Sequence, residues 1–184
     1  TFAAITGRDH DGRLWTSPLV GPPGFLQVTG PTTLQIRAGF SPTDPLHNPL
    51  PGQPVGLIAI DYSRRRRFRL NGTLNGTLSE NSLQTLTITV EEAFGNCPQY
   101  IPQRTIDPLP TADLTHDPVT GTAAEGLLTE GDRAIIGNAE PFLLGTTHPD
   151  RGSDASHRGG PEGFVRGEGS TLRGPDDAGN HMVN

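Results

Sequence analysis

The sequence predicts a mainly β protein: a β-barrel with short helices, in which one barrel module is near-complete and a second is truncated. Short apolar and β-branched segments, separated by Gly and Pro turns, fill the first hundred residues. A weaker copy of the opening of the chain recurs about 140 residues later. Capping-box patterns are limited to two short segments, so helices are expected to play a minor part in the fold.

Seven segments of the first module are predicted to be strands. Turns at Asp11-Gly12, at 22–24 and at Gly30-Pro31 separate the first four, and a Pro-rich loop over 40–53 precedes the fifth. The fifth is a continuous apolar run, which is typical of a strand buried inside the fold. The predicted strands cover 2–6, 14–18, 25–28, 33–37, 55–60, 66–74 and 83–90.

Two segments have the spacing of a helix capping box. Thr89 is followed three residues later by Glu92, and Thr129 is followed three residues later by Asp132. In a capping box these two side chains bond each other's backbone N–H groups at the start of a helix. We therefore predict one short helix that starts at Thr89 and another that runs from Thr129 to about Ala139.

The chain contains a predicted internal repeat. The matching pairs of segments are 2–6 with 142–146, 17–26 with 156–165, and 33–34 with 171–172. The second pair has five identical positions out of ten. Because the three matches fall in the same order, we favour a repeat over the alternative of unrelated Gly/Pro loops between strands.

The repeat sets the predicted domain boundaries. Module one covers 1–104, a polar linker and short helix cover 105–140, and the start of module two covers 141–184. Module two stops at the equivalent of about position 46, so the counterpart of 55–104 is expected to be missing from it. The single methionine, Met182, indicates that the first residue is not a natural start. We expect this incomplete module to leave strand edges unpaired.

Composition limits the function classes. The net charge is −6, lysine is absent and all 14 basic residues are arginine, which gives no overall attraction to nucleic acid or anionic membrane. Mean hydropathy is −0.42, and no stretch approaches the roughly 18 apolar residues of a membrane helix. A single cysteine excludes an internal disulfide framework and fits a reducing compartment. We therefore expect a cytoplasmic protein with no membrane partner.

Five of the 14 arginines lie between Arg64 and Arg69. Such a run could contact phosphate or nucleic acid. The favoured interpretation is a strand whose arginines occupy the solvated face, with Phe68 and Leu70 alternating with them. The acidic chain and the lack of interleaved aromatic residues argue further against nucleic-acid binding.

Cys97 follows Asn96 at what could be a helix N-terminus, a position that lowers the pKa of a thiol and makes it reactive. A lone cysteine is more often a small buried hydrophobe. We therefore predict that Cys97 is structural and packed at the end of module one. The sequence has no second cysteine and no His/Cys cluster, and no metal site is predicted.

The segment 156–160 is the strongest candidate site. It reads Ser-His-Arg-Gly-Gly where module one has Ser-Pro-Leu-Val-Gly. The planar guanidinium of an arginine can donate two parallel hydrogen bonds to a phosphate. A hydroxyl adds another donor, and glycines let backbone N–H groups approach an anion. We therefore predict an anion site here. The alternative is a surface ion pair between Arg158 and either Asp154 or Glu162.

Several of these motifs occur together in one known family. They are Asp-Gly-Arg over 11–13 with Ser-Pro over 17–18, Gly-Pro-Pro-Gly-Phe over 21–25, Arg-Phe-Arg-Leu-Asn-Gly over 67–72, Asn-Cys-Pro-Gln-Tyr-Ile over 96–101 with Arg104, the segment 156–160 with Gly-Phe-Val over 163–165, and Pro-Asp over 175–176 with Gly-Asn over 179–180. In this order the motifs, which span most of the chain, resemble the pyridoxamine 5′-phosphate oxidase-like family of FMN-binding split-barrel proteins, in its branch with two tandem modules.

The resemblance implies an FMN cofactor at an interface between two barrels, with its phosphate held by basic and small polar side chains. By this resemblance the cofactor-binding residues are Ser156, His157, Arg158, Gly159, Gly160, Arg166 and Asn180. The family's chemistry implies hydride transfer through the flavin to or from a small substrate, with NAD(P)H as a candidate donor and a homodimer as a candidate assembly. His157 is the titratable candidate for proton transfer near this site.

Two functions stay open at this stage. The first is an FMN-dependent oxidoreductase, in which the cofactor supplies the chemistry and the protein supplies binding and electrostatics. The second is a non-catalytic flavin-binding or partner-binding module of a larger protein. Because module two lacks most of its predicted strands, we expect the 184-residue chain to bind FMN weakly or not at all.

Overall fold

The computed structural model describes residues 1–19, 21–38, 40–80, 83–95, 97–105 and 128–175, and it confirms a mainly β chain. The strands are β1 (Phe2–Arg8), β2 (Leu14–Leu19), β3 (Leu26–Gly30), β4 (Thr33–Ala38), β5 (Pro54–Asp61), β6 (Arg66–Glu80), β7 (Leu83–Gly95), β8 (Pro141–His148), β9 (Gly152–Gly159), β10 (Arg166–Glu168) and β11 (Thr171–Arg173), and the helix is α1 (Glu130–Asn138). All seven strands predicted for module one are present.

The first seven strands form one antiparallel sheet in the order β2-β1-β5-β6-β7-β4-β3. Its inner face holds a single hydrophobic cluster that includes Leu19 from β2 at one end of the order, and Ile36 from β4 together with Leu26 from β3 at the other. Residues from opposite ends of a sheet can share one cluster only if the sheet curls round on itself. The main sheet therefore has the curled form of a barrel with apolar side chains filling its interior.

Strand β5 is buried on both faces, as its continuous apolar run predicted. Val55 and Leu57 belong to the inner cluster, whereas Ile58 and Ile60 belong to a second cluster on the outer face. This alternation follows from the two-residue period of a strand. The outer cluster also contains Ala155 of β9, because the β8–β9 hairpin packs across the outside of the barrel.

Two local predictions have different outcomes. The helix predicted to start at Thr89 is wrong, because β7 continues through this segment and pairs with β6 as far as Gly95. The predicted helix after Thr129 is confirmed: Thr129 caps α1, and Asp132 completes the capping box.

Strand β6 extends beyond its predicted end at residue 74 and reaches Glu80. The pairing with β7 shifts register at Asn71/Gly72 and again at Leu74/Gly76. These shifts are β-bulges, which bend a strand and increase its twist. They allow a strand of 15 residues to follow the curl of the barrel.

Within the described ranges, no helix is long and apolar enough to cross a membrane. Residues 106–127, which make up most of the predicted linker, lie outside the described residues, as does Asn180. The boundaries proposed for the two modules remain predictions.

Candidate functional site

Three buried arginines meet where the β8–β9 hairpin covers the barrel. Arg67 and Arg69 lie on β6 and Arg158 lies on β9, and their exposed fractions are 3%, 1% and 5%. The pairing of β6 with β5 places Arg67 opposite Ile60 and Arg69 opposite Ile58, both members of the outer cluster. Cross-strand neighbours share a face of a sheet. Both arginines therefore face the hairpin.

This arrangement corrects the prediction for the arginine run. We expected its arginines on the solvated face of a strand, but Arg67 and Arg69 are buried and Phe68 between them is 58% exposed. Arg64 and Arg65 lie in the turn before β6. The physical reason is that the outer face of β6 is covered by β9.

Arg69 and Asp154 form a buried ion pair across the interface. The Arg69 Nε–H donates to Asp154 Oδ1 at 3.0 Å, and Arg69 Nη2 contacts the other carboxylate oxygen. Both side chains are 1% exposed. The guanidinium also lies over the ring of Phe94, 4.8 Å from its centroid. A bidentate arginine–carboxylate pair has a fixed geometry, so it orients both the arginine and β9.

Arg67 binds the backbone and the side chain of His157. Its Nη1 donates to the His157 carbonyl oxygen at 2.9 Å and approaches Nδ1 at 3.4 Å. Because a guanidinium only donates, a hydrogen bond at this contact uses Nδ1 as the acceptor. Among the described residues none accepts a hydrogen bond from Nε2, although this atom is buried.

Burial, and next the positive charge of Arg67, lower the pKa of His157 to about 4. The imidazole is therefore neutral at neutral pH. It lies edge-on to Tyr62, with 6.4 Å between ring centroids. The charged form of His157 is thus disfavoured in this environment.

The three guanidinium groups repel one another. Burial is the main cause of the lowered pKa of Arg69, which falls to about 10, and the charges of Arg67 and Arg158 lower it further. The pKa of Arg67 is lowered by burial and by the charge of Arg158. A shift of this kind requires the charges to lie close together in a region of low dielectric. These shifts agree with the burial of all three arginines where β9 covers β6.

The glycines after Arg158 have packing roles. A Cβ on Gly159 would collide with the carbonyl oxygen of Tyr100, and one on Gly160 would lie 2.7 Å from the ring of Phe164. The Gly160 N–H donates to the carbonyl oxygen of Glu140 at 2.9 Å. The expectation that the Gly160 N–H is available for an anion is therefore wrong.

The structure brings together only some of the predicted site residues. Ser156, His157 and Arg158 are all buried on β9, and the Ser156 hydroxyl donates to the Leu144 carbonyl oxygen at 3.3 Å. The alternative of a surface ion pair for Arg158 is wrong, because the side chain is buried. Arg166 is exposed on β10.

Cys97 is exposed and lies in an irregular segment after β7. The prediction of a buried, packed cysteine is therefore wrong, and so is its placement at a helix N-terminus. A chain segment that follows the end of a long strand at the rim of the barrel is exposed to solvent, which explains the difference.

A cleft of about 380 Å³ opens at the end of β9. Its walls combine apolar groups with the amide side chains of Gln99 and Gln103 and with Glu140, and Gly159 and Gly160 form one side. This volume lies within the usual range for small-molecule sites, roughly 300–1,000 Å³. None of the three buried arginines lines this cleft.

Sequence reasoning missed Arg67, Arg69 and Asp154. The signal for the two arginines was their spacing of two residues on a strand paired with the apolar run of β5 over 55–60. That spacing places them on one face. It does not tell which face the hairpin covers.

Comparisons with known proteins give only loose likenesses. No family model matches the chain, and no curated protein matches it. Solved structures similar to about half of it include a HupZ variant from Group A Streptococcus, 14% identical with a TM-score of 0.38 over 51% of this chain and 88% of that chain. The flavin reductase of the Pseudomonas putida styrene monooxygenase is 9% identical, with a TM-score of 0.38 over 50% of this chain and 77% of that chain. An F420 reductase is 9% identical, with a TM-score of 0.31 over 50% and 88%. Likeness at this level does not assign a family, so function has to be argued from the residues of this chain.

Proposed function

We propose that this chain is the flavin-binding part of an FMN-dependent oxidoreductase of the pyridoxamine 5′-phosphate oxidase-like type, with Arg158 as a ligand of the FMN phosphate. The observation that carries the proposal is the burial of Arg158 on β9, together with Arg67 and Arg69 on β6, where β9 covers β6. A phosphate monoester carries nearly two negative charges at neutral pH. The planar guanidinium fork matches its oxygens better than any other side chain.

The chemistry of the donor set fits a phosphate. An anion between β6 and β9 would attract all three guanidinium groups and oppose their mutual repulsion. This attraction is strong because the groups are removed from water. Ser156 lies two residues before Arg158 on β9, so both share one face of that strand. The Ser156 hydroxyl already donates to the Leu144 carbonyl oxygen, so Arg158 is the donor that this face would offer to a phosphate.

His157 would act as a hydrogen-bond donor. Its Nε2–H is buried, and its lowered pKa keeps the ring neutral at pH 7. A bound flavin would supply hydride transfer to or from a small substrate. The protein would hold the phosphate, orient the ligand beside the cleft at Gly159 and Gly160, and exclude water from the arginine cluster.

Titration of the complete protein with FMN and with riboflavin tests the proposal. Riboflavin lacks the phosphate and should bind more weakly than FMN. A charge-assisted hydrogen bond contributes roughly 1.5–3 kcal/mol, so Arg158→Ala should weaken FMN binding about 10- to 150-fold. Arg158→Lys should recover part of the loss, and neither variant should change riboflavin binding.

Arg66→Ala is the matched control, because Arg66 lies on β6 next to Arg67 and is exposed. It should leave FMN affinity within about twofold of the wild type, since an exposed charge contributes little. Equal affinity for FMN and riboflavin, or an Arg158→Ala variant that binds FMN normally, would contradict the proposed phosphate site.

One observation favours the non-catalytic alternative, a flavin carrier within a larger protein. His157, the titratable candidate at this site, is held neutral and is 1% exposed, which suits it poorly to proton exchange near pH 7. Anaerobic addition of NAD(P)H to the FMN-loaded protein separates the two functions. Loss of the flavin absorbance supports an oxidoreductase, whereas a stable oxidised spectrum supports a carrier.

A further inference from the structure

Two Asn-Gly dipeptides lie close together on β6, in identical sequence surroundings. The segments 70–74 and 74–78 both read Leu-Asn-Gly-Thr-Leu. In an Asn-Gly pair the backbone nitrogen of the glycine can reach the carbonyl carbon of the asparagine side chain with little hindrance, because glycine has no Cβ. The immediate neighbours of the two dipeptides are the same, so a difference in their reactivity must arise from their places in the fold.

The first dipeptide, Asn71-Gly72, is held in the middle of the main sheet. It pairs with β5 on one side and with β7 on the other. Asn71 is 4% exposed, and a Cβ on Gly72 would collide with the carbonyl oxygen of Thr89. The Asn71 side-chain amide donates to Glu92 Oε2 at 3.2 Å. This side chain therefore cannot fold back onto the next backbone nitrogen unless the sheet opens.

The second dipeptide, Asn75-Gly76, lies where these restraints end. The pairing of β5 with β6 stops two residues before it, so it is paired with β7 alone among the described strands. Leu74 lies opposite Ile88 and Gly76 lies opposite Thr87, which leaves Asn75 as the extra residue of a β-bulge. Asn75 is exposed, and a Cβ on Gly76 would meet no described atom within 4 Å.

The side-chain contacts of the two asparagines favour the same difference. Asn75 Nδ2 donates to Thr89 Oγ1 at 2.5 Å. Because the residue is exposed, water can replace this bond at little cost. Asn71 Oδ1 is buried, with no hydrogen-bond partner in the described part of the chain. Negative charge that develops on this oxygen during attack on the amide would therefore lack a donor, whereas water can supply one at Asn75.

We propose that Asn75 is a site of spontaneous deamidation in the folded protein and that Asn71 is protected from it. The backbone nitrogen of Gly76 attacks Cγ of Asn75, and a new N–Cγ bond forms. The Cγ–Nδ2 bond breaks, and the amide leaves as ammonia with the proton from the Gly76 nitrogen. Water then opens the five-membered succinimide ring, which gives aspartate or isoaspartate at position 75.

The bulge is suited to accommodate both products. Isoaspartate adds one atom to the backbone, and Asn75 is already the residue that has none opposite it on β7. The longer backbone therefore does not force a shift of the pairing on either side. An aspartate can accept a hydrogen bond from the Thr89 hydroxyl in place of the bond that the amide donates. The modified chain is expected to keep its barrel.

Incubation of the full 184-residue chain at mildly alkaline pH, followed by peptide mapping with mass spectrometry, tests the proposal. The two sites are compared within the same molecules, in the folded chain and in urea. In urea they should deamidate at similar rates, because their immediate neighbours are identical. In the folded chain Asn75 should deamidate at least about tenfold faster than Asn71, since Asn71 reacts only when the sheet opens.

Two variants make the test specific. Gly76→Ala adds a methyl group in open space, so it should leave the fold intact and slow deamidation at Asn75 by crowding the attacking nitrogen. Asn75→Asp reproduces the aspartate product and should unfold at a temperature close to that of the wild type.

Three results would overturn the proposal. The first is deamidation of Asn71 and Asn75 at equal rates in the folded chain. The second is protection of Asn75 by folding as strong as that of Asn71. The third is deamidation of the Gly76→Ala variant at the wild-type rate, which would mean that the Gly76 nitrogen is not the attacking group.

Discussion

Two hairpins in this chain, β1–β2 and β8–β9, lead into the same kind of turn. In the turns over 22–25 and 161–164, the N–H of the Phe donates to the Pro carbonyl oxygen three residues earlier, at 3.0 Å in both. The third residue of each turn is a glycine, with φ of 81° in the first and 77° in the second. A second hairpin follows each turn, β3–β4 in one case and β10–β11 in the other. These parallels support the proposed repeat.

The two hairpins differ in how they are held and in what they bury. β1 pairs with β5 inside the main sheet, whereas β8 and β9 pair only with each other among the described strands. At matching positions Leu19 is 4% exposed and Arg158 is 5% exposed. The position is therefore buried in both hairpins, with an apolar side chain in one and a guanidinium in the other.

The largest effect is expected from Asp154→Ala in the second hairpin. Removal of one partner of a buried ion pair leaves the other charge in a region of low dielectric, at a cost of about 3–5 kcal/mol. The free energy of unfolding, measured by urea denaturation, should fall by this amount. Asp11→Ala removes half of an exposed pair with Arg13 in the first hairpin. It should change stability by less than about 1 kcal/mol.

A double variant sharpens the same comparison. Replacement of both partners, Arg69→Met with Asp154→Leu, should recover much of the stability lost in Asp154→Ala, because apolar groups of similar size can replace a buried pair. The free energy of unfolding could fall no more in Asp154→Ala than in Asp11→Ala. That result would show that the two hairpins bury their charges to a similar extent. The ion pair would then be unimportant for docking.

The next effect concerns pH. The pKa of His157 is about 4 in the folded protein and near 6.5 when unfolded. As the pH falls, His157 therefore binds a proton in the unfolded chain before it does so in the folded protein. The contribution of neutral His157 to the free energy of unfolding is complete above pH 6.5 and is lost as the pH approaches 4. The loss amounts to about 3 kcal/mol. Thermal unfolding at a series of pH values should show it, and His157→Gln should lack it.

His10→Gln is the matched control for this pH dependence, because His10 lies in the exposed turn of the first hairpin. It should keep the wild-type dependence. Carboxylates also titrate in this range, so the informative quantity is the difference between each variant and the wild type. If the stability difference between His157→Gln and the wild type is the same at every pH, the contribution of His157 does not depend on pH. That result would mean that water reaches the imidazole.

The smallest effect is expected from Gly56→Ala. The added methyl group would press on the Asp154 backbone, and overpacking of this kind costs roughly 1–3 kcal/mol. Gly76→Ala, also in the main sheet, meets nothing within 4 Å and should be near neutral. In Gly56→Ala, backbone amides of β8–β9 should lose protection against hydrogen exchange, whereas those of β1–β2 should keep it. Equal changes in both hairpins would contradict docking by close backbone contact.

Much of the fold could be predicted from local patterns. The seven strands of the first module follow from short apolar segments and Gly/Pro turns, and Thr129 with Asp132 predicted the start of α1. The segment at Thr89 shows the limit of such patterns. A capping spacing is a local signal, and the long pairing of β7 with β6 overrides it because each backbone group gains a partner in the sheet.

The sequence by itself determined the strands, their turns, the helix and the difference in chemistry between Leu19 and Arg158. These features depend on neighbouring residues, whose periodicity and turn chemistry can be read directly. Only the tertiary structure decided that Arg67 and Arg69 are buried and that Asp154 is the partner of Arg69. The two-residue period of a strand shows which side chains share a face but not which face is covered. Here the covering strand lies 85 residues further along the chain, from Arg69 to Asp154. A contact over that distance results from folding and leaves no mark in the local sequence.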